Sequence, residues 1–554
     1  MAQDLVFAPL GGVGEIGMNA GLYGYGEGPK RRWLMVDCGV LFGDPAVTPG
    51  IDLIMPDIRF AKAQRANIEA LVLTHAHEDH YGAVLDLWPE LRCPVYATPF
   101  AAAMLEAKRV SEKGAPKIDV RVIPQGGRFT AGPFEVEFVA VAHSIPESNA
   151  LAIRTPAGTV VHTGDWKIDL TPVLGPATDE TRLRAIGEEG VAAVIGDSTN
   201  ALREGFSRSE KEVAASLAEL IGNSPGRVAV TTFASNVGRL RAVAEAALAC
   251  DRQVVVIGRA MHRALEVGRM LGYLEGIPDF LDADAYGYLP REKVVALMTG
   301  SQGEPRAALA RIANGDHPLV ALAKGDRVIF SSRAIPGNEK AVGRVINGLI
   351  AGGAEVITDR THFVHVSGHP HREELATLYG WLKPQLVVPV HGEELHMAEH
   401  LEAAKSAGAK SVARVRDGQM IRIAGGPPEV VDEVVSGRML KDGRVLIYAT
   451  EATISERRKL AFAGVVSIAV AIDQLGDVAG DPEVRFSGLP PRDDEGTPML
   501  EVIRDTVLDC LDGLARPRRR DAGLVASAIE RAVRAELNLV WGKKPVCHIS
   551  VLGV

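Results

Sequence analysis

Four candidate metal ligands, His75, His77, Asp79 and His80, fall within six residues in the run L-T-H-A-H-E-D-H-Y-G. Imidazoles and a carboxylate at that density are a poor way to build a core, and together they suit zinc or another first-row dication. The run follows I-E-A-L-V-L-T at 68–74, which reads as a buried strand. It precedes Gly82 and a helical stretch at 83–91. The ligands are therefore expected on a loop at a strand end, where a rigid scaffold can aim them. The spacing divides them. Residues 75 and 77 can face one metal, and residues 79 and 80, turned by the loop, can face a second. The alternative is a solvated polar turn.

At 554 residues the chain is too long for one core, so two to four domains are expected. Hydrophobic content of 47% and charged content of 24% describe an ordinary globular protein. No apolar run approaches the roughly 18 residues of a membrane helix, and the first residues carry no signal-peptide pattern, so a cytoplasmic protein is expected. Cys38, Cys93, Cys250, Cys510 and Cys547 are scattered without a C-x-x-C, which supports neither a disulfide framework nor a thiolate zinc site. The net charge of −9 argues mildly against a non-specific nucleic-acid binder. It leaves room for a local basic channel, because phosphate contacts depend on nearby Lys and Arg.

More ligands stand at other strand ends. His143 follows F-E-V-E-F-V-A-V-A, Asp165 ends T-V-V-H-T-G-D, and His391 ends Q-L-V-V-P-V-H-G. Each repeats one grammar: buried strand, ligand, small residue, loop. A lone His at a strand end is more often merely hydrogen-bonded, but with the first run these residues make a constellation. Gly12, Gly14 and Gly17 spell G-x-G-x-x-G with Asp37 further on, which mimics a dinucleotide fingerprint. That fingerprint needs a helix after the glycines. The chain continues M-N-A-G-L-Y-G-Y-G, which reads as strand and turn, so a loop beside the metal site is expected instead.

The order H-x-H-x-D-H, His, T-G-D, late His resembles the metallo-β-lactamase superfamily. The resemblance implies an αββα sandwich with the site at one edge. It implies one metal on His75, His77, His143 and Asp165 and another on Asp79, His80, Asp165 and His391, with Asp165 bridging. Asp37 matches the superfamily's first motif and would support the ligands from behind.

Between Asp165 and His391 the chain alternates strands and helices, as in R-V-A-V-T-T-F, Q-V-V-V-I-G, K-V-V-A-L-M-T-G and D-R-V-I-F-S-S, the pattern of a parallel α/β sheet. Most of these strands end in small polar residues, where ligands bind in such sheets; hydroxyls, amides and an occasional Arg suit phosphate oxygens. This insertion resembles the β-CASP domain of nucleic-acid-cleaving enzymes. Asp197 in G-D-S-T-N, H-V-S-G-H at 365–369 and His391 match its motifs A, B and C. A His at motif C is similar to the RNA-cleaving members, and T-F-A-S-N, T-G-S-Q-G-E-P and F-S-S-R-A-I-P-G-N-E resemble bacterial ribonuclease J in particular. The expected phosphate site takes in His365, Val366, Ser367, Gly368 and His369, against an alternative reading of 361–371 as a His-rich metal loop. Ser235, Asn236 and Arg239 are expected in the same pocket, the alternative being helix capping. Arg333 is read either as a substrate contact or as half of a structural ion pair.

The expected fold is α/β. A metallo-β-lactamase core spans 1–200 and 356–425, interrupted by the β-CASP insertion at 201–355. A linker at 426–454 leads to a small α+β domain at 455–554, with helices around 500–514 and 523–538. Its Arg cluster at 516–520 reads as a solvated loop or an RNA or partner contact. The implied function is a ribonuclease using two divalent ions, Zn2+ or else Mn2+, with Asp79, His80 and either His365 or His369 in catalytic roles. It would act as a 5′→3′ exonuclease on single-stranded RNA with 5′-monophosphate ends and as an endonuclease, in mRNA decay and rRNA maturation. Expected partners are a second copy or a tetramer and an RNA-degradation complex. Alternatives are a DNA-processing β-CASP nuclease, a thioester or lactone hydrolase, and a non-catalytic subunit.

Overall fold

In the computed structural model, which describes residues 3–554, the first compact unit comprises residues up to Phe42 together with Leu53–Met439. Two sheets face each other within it. The eight-stranded sheet runs Val430–Glu433, Gln419–Ala424, Leu5–Gly11, Ala20–Tyr25, Arg32–Val36, Ile68–Val72, Val95–Ala97, Val120–Val122. The seven-stranded sheet runs Ser411–Val412, Leu386–Val390, Ala193–Asp197, Gly158–His162, Asn149–Thr155, Phe134–Ala140, Arg128–Ala131.

Period-two alternation makes the sandwich. Phe7, Tyr23, Leu34 and Val72 from one sheet interlock with Val136, Phe138, Ile153 and Ile195 from the other in one buried cluster. Val139, Ala152, Val161 and Val194 point the opposite way, against Leu183, Leu375 and Tyr379 of the helices Glu180–Glu189 and Arg372–Leu382. Both faces of the central strands are therefore buried, which is why they read as unbroken apolar runs.

The insertion forms a six-stranded sheet in which every pairing is parallel: Leu281–Asp282, Gln253–Ile257, Val294–Met298, Val228–Thr231, Arg327–Phe330, Glu355–Ile357. Its last strand reaches two residues past the expected boundary at 355. Ala193–Asp197, although it lies between Asp165 and His391 in sequence, joins the core sheet in parallel with Leu386–Val390. Asp197 and His391 thereby sit at neighbouring strand ends.

The second compact unit comprises Gly43–Asp52 and Leu440–Val554. Its three-stranded sheet, Glu483–Ser487, Val465–Ile472, Val546–Gly553, is covered by the helices Met499–Asp512 and Ala522–Val540. Ile503, Val507 and Leu511 meet Val525, Ile529, Val533 and Leu537 in its core, each at helical spacing. The stretch 426–454, expected to be a linker, instead carries the strands Val430–Glu433, Arg438–Asp442 and Val445–Tyr448. Its Gly-Pro signal marks only the turn between two paired strands, since Gln419–Ala424 and Val430–Glu433 are antiparallel neighbours. Arg516–Arg519 form a single helical turn in which Arg519 donates to the carbonyls of Leu514 and Asp512, and Arg516 pairs with Asp477. Among the described residues no helix is long and apolar enough to cross a membrane.

Candidate metal centre and its surroundings

All seven predicted ligands converge. The Oδ2 atom of Asp165 lies 3.2 Å from His80 Nε2, 3.5 Å from His391 Nε2, 3.6 Å from His143 Nε2 and 3.7 Å from His75 Nε2. Asp79 Oδ2 lies 3.6 Å from His80 Nε2 and 3.7 Å from His391 Nε2. Two four-residue groups, His75–His77–His143–Asp165 and Asp79–His80–Asp165–His391, each bring their ligand atoms within 4.8 Å of one another. Asp165 belongs to both. Asp79 and His80 do not lie on a loop as expected; they occupy the one-turn helix Glu78–Tyr81 that follows His77.

The protons on the outer ring nitrogens decide what the inner ones can do. His75 Nδ1 donates to Thr74 Oγ1 (3.0 Å), whose own hydroxyl is donated to Asp37 Oδ2. His80 Nδ1 donates to Asp37 Oδ2 at 2.7 Å, and His143 Nδ1 donates to the Gly368 carbonyl at 2.6 Å. In its neutral form each of these rings therefore presents a lone pair on Nε2, the arrangement expected of metal-ligating histidines. His77 is turned the other way: its Nδ1 sits 3.1 Å from both His75 Nε2 and His143 Nε2. A proton on His77 Nδ1 can be donated to only one of these two nitrogens, whereas a shared cation takes up all three lone pairs. Asp165 Oδ1 and His391 Nε2 are buried with no hydrogen-bond partner, which is costly unless an ion takes up both. The donor set of nitrogen and oxygen, and these orphaned atoms, fit divalent metal binding.

Electrostatics divide the cluster. Burial and the neighbouring imidazoles keep His75 and His77 well below the ordinary histidine range, and burial takes His143 down to about 4. Burial would also lower His80 and His391, but the surrounding carboxylates together outweigh it and raise both, Asp165 with Asp79 and Asp37 at His80 and Asp165 with Asp197 at His391. Burial would raise Asp165, yet His391 and His80 hold it well below the carboxylate range. His369 is raised to about 9: against the cost of burial stand Asp197, whose Oδ2 lies 2.8 Å from His369 Nδ1, and Asp165.

The chain aligns over its whole length with relatives of known family. It is 56% identical to "Ribonuclease J" of Sinorhizobium meliloti over 100% of this chain and 98% of the relative. It is 38% identical to "Ribonuclease J" of Mycolicibacterium smegmatis over 98% of this chain and 96% of that one. The chain belongs to the ribonuclease J family. Four family descriptions match in order: the metallo-beta-lactamase superfamily over 18–258, the ribonuclease J beta-CASP domain over 225–349, the Zn-dependent metallo-hydrolase RNA specificity domain over 353–414 and the ribonuclease J C-terminal domain over 452–554. A crystal structure of a protein of unknown function from Enterococcus faecalis V583 shares the fold, with a TM-score of 0.53 at 15% identity over 76% of this chain and 100% of that one. As a ribonuclease J family member the chain is a metal-dependent ribonuclease, and RNA is its substrate.

Around the metal centre of this ribonuclease J relative, the other expected site residues separate into two groups. His369 and Ser367 lie beside the ligands. Asn200 donates to Ser367 Oγ at 2.8 Å and to the His369 carbonyl at 3.2 Å. Gly368 packs so tightly on His143 that a Cβ there would stand 2.5 Å from His143 Nδ1. His365 has a buried Nδ1 without a partner, and Val366 is buried. Burial and the cations of Arg239, Arg333 and Arg203 hold His365 well below the ordinary histidine range. Near pH 7 its neutral form is favoured, which does not suit the proton-donating role expected of it from sequence.

The second group is structural. Asn236 caps the helix Val237–Ala249 by accepting from Arg239 N, and Ser235 precedes it, half-buried. Arg239, expected to reach substrate, is buried, and its guanidinium is engaged by Glu210, Ser331 and Val364. Arg333 forms an ion pair with Asp359 at 2.9 Å, the second of its two expected readings.

Asp37 takes the position expected of it. Its two oxygens accept from Thr74 N, Thr74 Oγ1 and His80 Nδ1, all within 2.8 Å, and its φ of 61° is a strained backbone held by these bonds. Asp37→Asn keeps the size and loses the charged acceptor behind His80. It is expected to weaken metal binding about 10–100-fold, read by competition with a chelating dye, and excess metal should restore cleavage. Unchanged affinity would remove Asp37 from the support of the site. Thr74, Asn19 and Asn200 carry no signal of their own in the sequence. Single polar side chains at loop positions carry no pattern, although Thr74 does border the ligand run.

Proposed function

We propose that the protein is a 5′→3′ exoribonuclease preferring 5′-monophosphate ends, with internal cleavage as a second activity. The site would hold two ions, one on His75, His77, His143 and Asp165 and one on Asp79, His80, Asp165 and His391, with zinc or manganese as the metal. The observation that carries the reading is the turn 365–369. It brings the His369 imidazole to 2.8 Å from Asp197 and 3.9 Å from Asp165, and beside it Ser367, Gly368 and His365, which suit a phosphate group. A 5′ end gripped by that turn would lie next to the linkage that is cut.

Bound ions would supply Lewis-acid polarisation of the phosphodiester and a water acidic enough to attack near neutral pH. The chain's own groups do the rest. Asp197 accepts from His369 Nδ1 and so orients the ring with Nε2 turned from the carboxylate. That nitrogen delivers its proton to the departing 3′ oxygen. The products are a 3′-hydroxyl and a 5′-phosphate.

His369→Ala is expected to lower kcat about 10²–10⁴-fold, the usual worth of a positioned acid. A substrate with sulfur as the bridging leaving atom needs no proton and should regain most of that loss. If it regains none, His369 is not the acid. The activity itself is tested with one RNA bearing either a 5′-monophosphate or a 5′-triphosphate, with Mn2+, Zn2+ or chelator. Metal-dependent release of mononucleotides, faster from the monophosphate, is the expected result. Internal fragments alone, regardless of the 5′ end, would overturn the exonuclease reading.

A further inference from the structure

The glycine motif at Gly12, Gly14 and Gly17 is not followed by the helix that a dinucleotide fingerprint needs, and it lies against the metal centre. All three glycines have positive φ, and the loop leads to Asn19 rather than to a helix. The Gly12 carbonyl accepts from His391 N at 2.6 Å, and isolated bridges join Val13 and Glu15 to Gly392. Asn19 is buried between the two segments that carry ligands of one metal group. Its backbone N–H donates to the Asp79 carbonyl at 2.9 Å, and its carbonyl accepts from Gly39 N.

The orientation of its amide follows from its neighbours. The Asp79 carbonyl lies 3.0 Å from one terminal atom and can only accept, so that atom is Nδ2. The other atom is Oδ1, and it faces His391 Nδ1 at 3.0 Å. His391 Nδ1 therefore carries a proton donated to Oδ1, and Nε2, buried and unpartnered, is left with its lone pair toward the centre. The same Nδ2 stands 3.1 Å from His80 Nε2, whose Nδ1 is committed to Asp37. One side chain thus touches three ligand residues of a single metal group and none of the other. The loop is shaped to admit it, since a Cβ on Gly12 would stand 2.4 Å from Asn19 Oδ1.

We propose that Asn19 is a positioning residue that sets the tautomer of His391 and so tunes one of the two metal positions, that of Asp79, His80, Asp165 and His391. The proposal rests on the two-ion reading given above. It is tested by zinc titration of metal-stripped protein with a chelating dye, comparing the parent with Asn19→Leu and Asn19→Asp. Leu fills the space without hydrogen bonds. Asp keeps an acceptor for His391 and loses the donor to the Asp79 carbonyl. In Asn19→Leu one ion should bind about 10–100-fold more weakly while the other keeps its affinity. Asn19→Asp should hold both within about tenfold of the parent, the rescue a merely space-filling role would not show.

Two ions bound to Asn19→Leu at parental affinity would overturn the proposal, as would equal weakening in Asn19→Asp. A parent that takes up no ions would overturn the two-ion reading instead. Should Asn19→Leu fail to fold, the parent decides alone. Nitrogen-15 spectra of the zinc-loaded, histidine-labelled protein, with His391 assigned against His391→Asn, should show its Nδ1 protonated and Nε2 bound. Metal on Nδ1 would overturn the assignment.

Discussion

Asp165→Asn is expected to lower RNA cleavage about 10³-fold or more, because an ion contributes several kcal/mol of transition-state stabilisation and each 1.36 kcal/mol is tenfold in rate. The substitution keeps the shape of the side chain and removes its charge. That charge is the only anion shared by both metal groups. Its Oδ2 faces imidazole nitrogens of His75, His80, His143 and His391 within 3.7 Å. An amide offers one neutral oxygen and turns N–H groups toward nitrogens that themselves must accept or bind metal. Metal content should fall together with activity, measured on the same preparation by elemental analysis after dialysis. The fold should survive, because the ligands hang from strand ends whose pairing does not involve this side chain. Cleavage within tenfold of the parent, at full metal content, would sink the bridging role of Asp165.

The ligands were legible because four of them crowd into the run H-A-H-E-D-H after a buried strand and the other three stand near the ends of buried strands, a pattern that survives in a single sequence. What orients the ligands was not. His143 is fixed by a backbone carbonyl 225 positions away, and His391 by Asn19 at a separation of 372. A carbonyl has no residue type, and one Asn among many has no period. The strained backbones at Met18, Asp37 and His391, with φ of 54°, 61° and 52°, are also invisible in sequence, and they cluster where the site is assembled. The strand Val430–Glu433 escaped notice for a different reason. V-V-D-E does not alternate, and it becomes a strand only because Gln419–Ala424 presents an edge to it.

Arg239→Ala is expected to destabilise the protein by about 3–5 kcal/mol, because it strands a buried carboxylate. The motif T-F-A-S-N-V-G-R invites a phosphate-binding reading of Arg239, but the side chain is only 1% exposed. Its Nε and Nη2 hold both oxygens of Glu210 at 2.7–3.0 Å, and its Nη1 donates to Ser331 O, Ser331 Oγ and Val364 O. These bonds join the helices Glu210–Gly222 and Val237–Ala249, the end of the strand Arg327–Phe330 and the residue before His365. The guanidinium has no donor left for an RNA phosphate. Removing it leaves Glu210, itself 7% exposed, charged and unpaired. Removing both partners is a different matter: Arg239→Met with Glu210→Met exchanges the ion pair for apolar contacts of similar volume and should recover most of the lost stability. Thermal melts of the metal-loaded single and double variants measure this. Below its melting temperature the Arg239→Ala protein should still prefer 5′-monophosphate over 5′-triphosphate RNA by the parental ratio. An unchanged melting temperature with that preference lost would return Arg239 to the substrate pocket.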